Sequence, residues 1–289
     1  LTVDTITGGN RERDLRTGFT IPPKLTIESM MEFALKPKWF FKLGENLSNI
    51  FMSYKPPSKR DQSAVSSGGT AWECINVWYL NLIFWNTSIT ASRSNKTFIP
   101  KCFRDALTVS YGSISTNTES DISIFSIPES NKLNSPKTKD LNTYILSKMD
   151  YVNFVNLQCK TNWNDNAQVP MLWDIIYSSN EKLNNISVGI NGVSPHSFNS
   201  FSYAFSTVPT VDKSKFKKDS VAVLRVRNLS GRNFWGHPTE AGVANCINEL
   251  ASNSFASEFK GGVISHLNNS IKRDSNYFER FLNLDFLLE

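Results

Sequence analysis

A chain of 289 residues with 40% hydrophobic and 12% aromatic side chains can bury one large core or two smaller ones, which excludes the disordered and fibrous classes. Its net charge of +5 is compatible with a nucleic-acid partner without requiring one. The longest apolar run, Trp78 to Trp85, is broken by Asn81 and too short to span a bilayer, so no membrane partner is expected. Cys74, Cys102, Cys159 and Cys246 are scattered, with no CxxC and no Cys/His cluster. The reading is reduced thiols in a cytoplasmic protein, without structural zinc.

In chain order, the first stretch is Leu1-Thr-Val-Asp-Thr-Ile-Thr-Gly-Gly-Asn-Arg-Glu-Arg-Asp-Leu-Arg-Thr-Gly-Phe19, continued by Ile21-Pro-Pro-Lys-Leu25 and Phe33-Ala-Leu-Lys-Pro-Lys-Trp39. It resembles the FMN-dependent α-hydroxy acid dehydrogenases, and within them the bacterial L-lactate dehydrogenases; the resemblance fades near Leu43. It implies a piece of a (β/α)8 barrel in which Thr2 touches the flavin, Asp4 pairs with the catalytic histidine and Arg11 lies near the substrate carboxylate. His196, His237 and His266 stand in Ser-Pro-His-Ser, Trp-Gly-His-Pro and Ile-Ser-His-Leu, none of which matches that family's histidine motif. A barrel site needs the ends of several strands, which this stretch does not supply. Residues 1–51 are therefore expected to be a truncated barrel fragment that binds no FMN and can be deleted. A second unit is expected to run from Met52 to Glu289.

Met52 to Gly69 is rich in Lys, Pro, Ser and Gly and reads as a flexible lead-in. Thr70-Ala-Trp-Glu73 has the form of a capping box opening a buried helix from Cys74 to Trp85. Glu73 carries two readings there, a helix cap and a supporting carboxylate. Asn86 to Asn95 reads as a loop, and Phe98 to Tyr111 holds a short helix or strand. A strand is expected over Asp121–Ile127 with Pro128 as its stop, and a helix near Asp140–Lys148. The central strand is Tyr151–Lys160, whose alternation from Val152 to Leu157 predicts one buried face, with Gln158 and Lys160 on the same side. Beyond it come a helix over Val169–Tyr177, strands near Ile186–Ile190, Ser202–Thr207 and Ser220–Arg227, and helices over Thr239–Ser252 and Gly261–Lys272.

An acidic residue on a helix, Asp121 at a strand mouth and Gln158-Cys159-Lys160 on the next strand suit phosphodiester cleavage. Both reacting oxygens gain charge, which a hard cation with oxygen ligands neutralises. Asp121, the Gln158 side chain and the Cys159 carbonyl are the expected Mg²⁺ ligands, with Glu73 or Glu119 adding charge. Lys160 orients water or stabilises the transition state. The pattern resembles the PD-(D/E)xK nucleases, which include many type II restriction enzymes, with Gln158 standing where an acid is usual and Ser120 where a Pro is usual. The resemblance implies an α/β fold with a restriction-endonuclease-like mixed central sheet flanked by helices, acting on double-stranded DNA, a homodimer being one arrangement. Lys213, Lys215, Lys217, Lys218, Arg225 and Arg227 form the densest basic cluster and read as phosphate contacts or as a solvated face. Asn162, Asn164 and Gln168 read as base-edge contacts or as turn chemistry. The rival readings are a flavin-dependent dehydrogenase and a non-catalytic DNA-binding module.

Overall fold

A computed structural model of the chain describes residues 62–94, 98–117, 120–128, 138–160, 185–208 and 246–273, together with positions 44, 47, 48, 51, 217, 219, 224, 233, 234 and 244. The first long element is helix α1 (Gln62–Ile83), followed by β1 (Ile89–Arg93), α2 (Lys101–Ala106), β2 (Thr108–Tyr111), β3 (Ile114–Asn117) and β4 (Ile122–Ser126). Then come α3 (Thr138–Leu146), β5 (Asn153–Lys160), β6 (Ile186–Val188), β7 (Ser200–Thr207), β8 (Asn233–Phe234), α4 (Ile247–Ser254) and α5 (Gly262–Arg273). The result is mixed α/β.

The main sheet has the order β1-β4-β5-β7-β8. Strands β1, β4 and β5 pair antiparallel, whereas β7 and β8 run parallel to β5 and to each other. Strands β3, β2 and β6 form a separate antiparallel sheet. The connection from β6 towards β7 is tightened at Asn191-Gly192, both at positive φ, between the bridged residues Ile190 and Val193. Asn-Gly suits such a turn because both residues tolerate the left-handed region.

Helices and strands bury both faces of the main sheet. On one face Ile122, Ile124, Val155, Leu157, Cys159 and Ala204 pack against Trp72, Leu80 and Ile83 of α1, Leu250 of α4 and Leu267 of α5. On the other, Phe125, Phe154 and Phe205 meet Phe103 of α2, Ile145 of α3 and Phe198. There Phe103 stacks on Phe125 at 4.3 Å between ring centres and on Phe198 at 5.4 Å. β5 is thus buried on both sides, not on one as its alternation suggested. Its polar positions Asn156 and Gln158 face the aromatic-side layer, because a central strand in a covered sheet has no solvent face.

Helix α1 presents Trp72, Asn76, Tyr79, Leu80 and Ile83 as one buried face. Asn81, which seemed only to interrupt an apolar run, bonds the edge strand. Its Nδ2 donates to the Ala91 carbonyl at 2.8 Å and its Oδ1 accepts the Ala91 N–H at 2.9 Å. That satisfies an unpaired backbone pair on β1, the kind of edge that otherwise invites a foreign strand.

Several boundaries differ from the sequence reading. α1 begins at Gln62, so the Ser/Gly stretch from Gln62 to Gly69 is helical, and Thr70 and Glu73 sit inside the helix. No free N–H remains there to cap, which removes the capping reading of Glu73. Asn86–Asn95 contains β1: Ile-Thr-Ala-Ser-Arg alternates apolar and polar, as a half-covered edge strand does. Leu224, inside the expected strand Ser220–Arg227, is helical. The boundary at residues 51/52 cuts through packing. Positions 44, 47, 48 and 51 are helical and buried, the i, i+3, i+4, i+7 spacing of one helix face, and Leu47 and Phe51 belong to the core under α1. Phe51 meets Trp72 edge-on at 5.5 Å. The expected helix Val169–Tyr177 lies outside the described residues.

Candidate active site at one end of the central strands

Strands β4 and β5 bring Asp121 and Lys160 to the same end of the sheet, since β4 begins one residue after Asp121 and β5 ends at Lys160. Ile122 pairs with Leu157, and the chain reaching back to Asp121 hydrogen-bonds beside Gln158 and Cys159. Asp121 Oδ2 accepts the Cys159 N–H at 2.7 Å. The Asp121 carbonyl accepts the Ser94 N–H at 2.9 Å, which joins the end of β1 to the same corner. Ser94 Oγ is 2.6 Å from Ser120 Oγ and 2.9 Å from Ser123 Oγ, so three hydroxyls close the mouth of β4.

Glu73 approaches from α1. Its Oε2 is 2.8 Å from the Nε of Arg93, the last residue of β1. The electrostatics of Cys159 tie these groups together. Burial pushes its thiol well above the ordinary range, the carboxylates of Asp121 and Glu73 push it further, and the Lys160 ammonium pulls it down. These are influences of nearby charge and not contacts with the thiol: Cys159 lies on the α1 face of β5, and Lys160, the next residue, leaves the opposite face.

Gln158 has a different setting. It is fully buried, and Tyr203 Oη donates a hydrogen bond to its Oε1 across the parallel β5–β7 pair. Its oxygen is engaged inside the sheet and does not stand at an open mouth. The backbone N–H of Cys159 serves Asp121.

Among the described residues no group of three His, Cys, Asp or Glu could hold a metal ion, so an all-protein cage does not fit. Mg²⁺ takes one or two carboxylates and fills the remaining positions with water and phosphate oxygens. Asp121 and Glu73 are carboxylates of that kind, with Asp121 Oδ2 bonded to the Cys159 N–H and Glu73 Oε2 to Arg93.

Of the other expected site residues, Lys217 is described and exposed. Thr2, Asp4, Arg11, Glu119, Asn162, Asn164, Gln168, Lys213, Lys215, Lys218, Arg225 and Arg227 lie outside the described residues. Sequence reasoning missed Arg93, Tyr203 and the Ser94–Ser120–Ser123 cluster. The alternation in Ile89–Arg93 was the available signal for Arg93, since it makes Arg93 a strand end; nothing local marked Tyr203. No helix among the described residues is long and apolar enough to cross a membrane.

Comparison with known proteins finds one relationship. The FMN-dependent dehydrogenase family matches residues 1–110, less than half of the chain. That span runs past Leu43, where the resemblance faded, and takes in α1, β1, α2 and most of β2. Within it β1 pairs antiparallel with β4, and β2 antiparallel with β3 and β6, whereas a (β/α)8 barrel is built of parallel strands. No curated protein and no solved structure matches the chain.

Proposed function

We propose that the α/β unit is a Mg²⁺-dependent DNA endonuclease of the type II restriction kind, carried behind a fragment of an FMN-dependent hydroxy acid dehydrogenase. One observation supports the reading: Asp121 and Lys160 lie at the shared end of β4 and β5, where Asp121 Oδ2 accepts the Cys159 N–H. A mixed sheet flanked by helices supports it at the level of architecture. The bound cation would neutralise charge on phosphate oxygens. Asp121 and Glu73 would supply oxygens towards it. Lys160 orients the attacking water and offsets charge developing on the phosphoryl group. Gln158, tied to Tyr203, fixes the register of β5 against β7 and so sets the position of Lys160 two residues on.

The test is incubation of the full chain with mixed plasmid DNA at rising Mg²⁺. Cleavage that requires Mg²⁺ and is lost in Asp121→Asn supports the proposal. The amide is the cleaner change, because its oxygen still accepts the Cys159 N–H that Ala would leave unpaired. Undiminished cleavage by Asp121→Asn, or none by the parent, sinks it.

The second reading is an FMN-dependent α-hydroxy acid dehydrogenase, and the family match over residues 1–110 favours it more than any comparison favours the nuclease. Its test is direct. Stoichiometric flavin absorbance in the purified protein, with oxidation of L-lactate, would establish this reading and reverse the order of the two.

A further inference from the structure

We infer that Arg93 binds a DNA backbone phosphate beside the one that Lys160 serves, and that Glu73 is the positioning residue that aims it. The inference rests on the proposed nuclease function and names where the DNA backbone is held. Arg93 ends β1, and its Nε lies 2.8 Å from Glu73 Oε2, with side-chain exposures of 35% and 17%. The bond uses the Nε–H and leaves the N–H groups of both terminal nitrogens for another acceptor. A planar fork of that kind matches two phosphate oxygens, and it needs no enclosing cage. The base of the side chain is fixed by backbone: Arg93 pairs with Ile122, and Ser94 donates its N–H to the Asp121 carbonyl at 2.9 Å. Arg93 follows Ile89 and Ala91 onto the α1 face, because residues two apart on a strand share a side. Lys160 leaves the other face, so the two cations flank the strand ends. A backbone crossing those ends meets Lys160 at one phosphate and Arg93 at a neighbouring one.

Glu73 acts on the DNA in two ways of opposite sign. As a charge it repels phosphate, so its removal alone would strengthen binding. As the acceptor of the Arg93 Nε–H it holds the guanidinium in one direction, so its removal adds the cost of ordering a long side chain when DNA binds. The phosphate lies on the far side of the guanidinium from Glu73. Salt at about 0.15 M, with a screening length of about 8 Å, damps the repulsion there. Loss of direction is not screened, so direction decides the sign while Arg93 is present. With Arg93 gone, only the repelling charge is left.

The experiment is binding of the full chain to a fluorescein-labelled duplex of mixed sequence in EDTA, read by anisotropy over a series of salt concentrations. The chelator keeps cleavage out of the measurement. Arg93→Gln should bind about five- to tenfold more weakly near 0.1 M salt and lower the log–log salt slope by about 1, as for one lost phosphate contact. Arg93→Lys keeps the charge and guards against a misfolded Gln variant. It should hold the parent's slope and bind a few-fold more weakly, since an ammonium lacks the fork. Glu73→Gln should weaken binding by about two- to threefold at about 0.15 M salt, the scale of a partly exposed pair, and should strengthen it in the Arg93→Gln background. An unchanged slope in folded Arg93→Gln, parent-like affinity in Arg93→Lys, or tightening by Glu73→Gln in both backgrounds overturns the inference. A parent that binds and cuts DNA while Arg93→Gln matches its slope leaves the nuclease reading standing and removes only this step. A parent that neither binds nor cuts DNA removes both.

Discussion

The two ends of the β4–β5 pair are built from different chemistry on the same scaffold. At the Lys160 end, charges gather: Asp121 accepts the Cys159 N–H, Glu73 pairs with Arg93 and Lys160 ends β5, with serine hydroxyls between the strand mouths. At the Asn153 end lies a groove of about 550 Å³ lined by Asn86, Ser88, Ser126, Tyr151, Asn153 and Glu258 among others. There the polar groups are spent on each other. Asn153 Oδ1 accepts from Asn199 and Ser200, Ser126 Oγ accepts the Asn153 N–H, and Ser88 Oγ donates to Glu258 Oε2 at 3.2 Å. Both ends are backed by aromatics: Phe51 on Trp72, midway along α1, behind the charged end, and Phe84, just past the last residue of α1, on Phe255 and Phe259 behind the groove. Packing is alike at the two ends, so what separates them is charge. A catalytic end needs charges aimed at a common point, and hydroxyls and amides that satisfy one another make a surface, not a reaction centre.

The largest expected effect comes from the packing behind the charged end. Phe51→Ala should cost about 3–5 kcal/mol of stability, as for a fully buried aromatic, while removal of residues 1–43 should cost little. Urea unfolding measures both, and a Phe51→Ala loss under about 1 kcal/mol would show that 44–51 is not integral to the core. Next, Lys160→Ala should slow DNA cleavage by roughly 100-fold with the fold retained. The matching change at the groove end, Glu258→Gln, should leave cleavage unaltered. Equal losses from the two variants would erase the distinction between the ends.

Much of the sheet was legible in the sequence, because Asp121–Ile127, Tyr151–Lys160 and Ser202–Thr207 carry β-branched and aromatic residues between turn formers, and β4, β5 and β7 fall within a few residues of those runs. The start of α1 was not, since Ser66-Ser-Gly-Gly69 has the composition of a linker. Tertiary burial of Trp72, Asn76 and Tyr79 holds the helix that propensity alone would end. Asp121 and Lys160 were readable as strand ends. The Glu73–Arg93 pair was not, because it joins a helix interior to an edge strand that seemed a loop. Gln158 shows the limit of motif reading: the pattern gave its position along β5, but its burial and its bond to Tyr203 depend on β7, over 40 residues away in the chain.

That burial reverses one expectation about charge. Adding a carboxylate by Gln158→Glu would fit an open metal site and raise activity there. Within the sheet, the same change places an acid in a fully buried position, near Asp121 and with one hydroxyl donor from Tyr203. It should lower stability by about 1–3 kcal/mol, less at acid pH where the new group is neutral. A variant as stable as the parent at neutral pH, with faster cleavage, would return Gln158 to the metal-ligand role.

The smallest effect tests the burial of Cys159 at the charged end. Burial and two carboxylates raise its pKa in the folded protein, against one lowering influence from Lys160. A thiol in the unfolded chain ionises near about 8.5. Below that pH both states are protonated and the thiol's effect on stability is flat; above it the unfolded state loses its proton first, so stability falls as pH rises. The slope is at most about 1.4 kcal/mol per pH unit for one thiol. Cys102, buried on the aromatic face and pushed up to about 12, adds a decline of the same sign, so the parent alone does not isolate Cys159. Cys159→Ala does, because it removes one ionising group and leaves Cys102 in place. Urea unfolding at a series of pH values from about 7 to about 10 should show a shallower alkaline decline in Cys159→Ala than in the parent, whatever the offset from the altered packing. Parallel curves for the parent and Cys159→Ala would mean that the thiol ionises alike in both states, which a residue enclosed by β4, β5 and α1 cannot do.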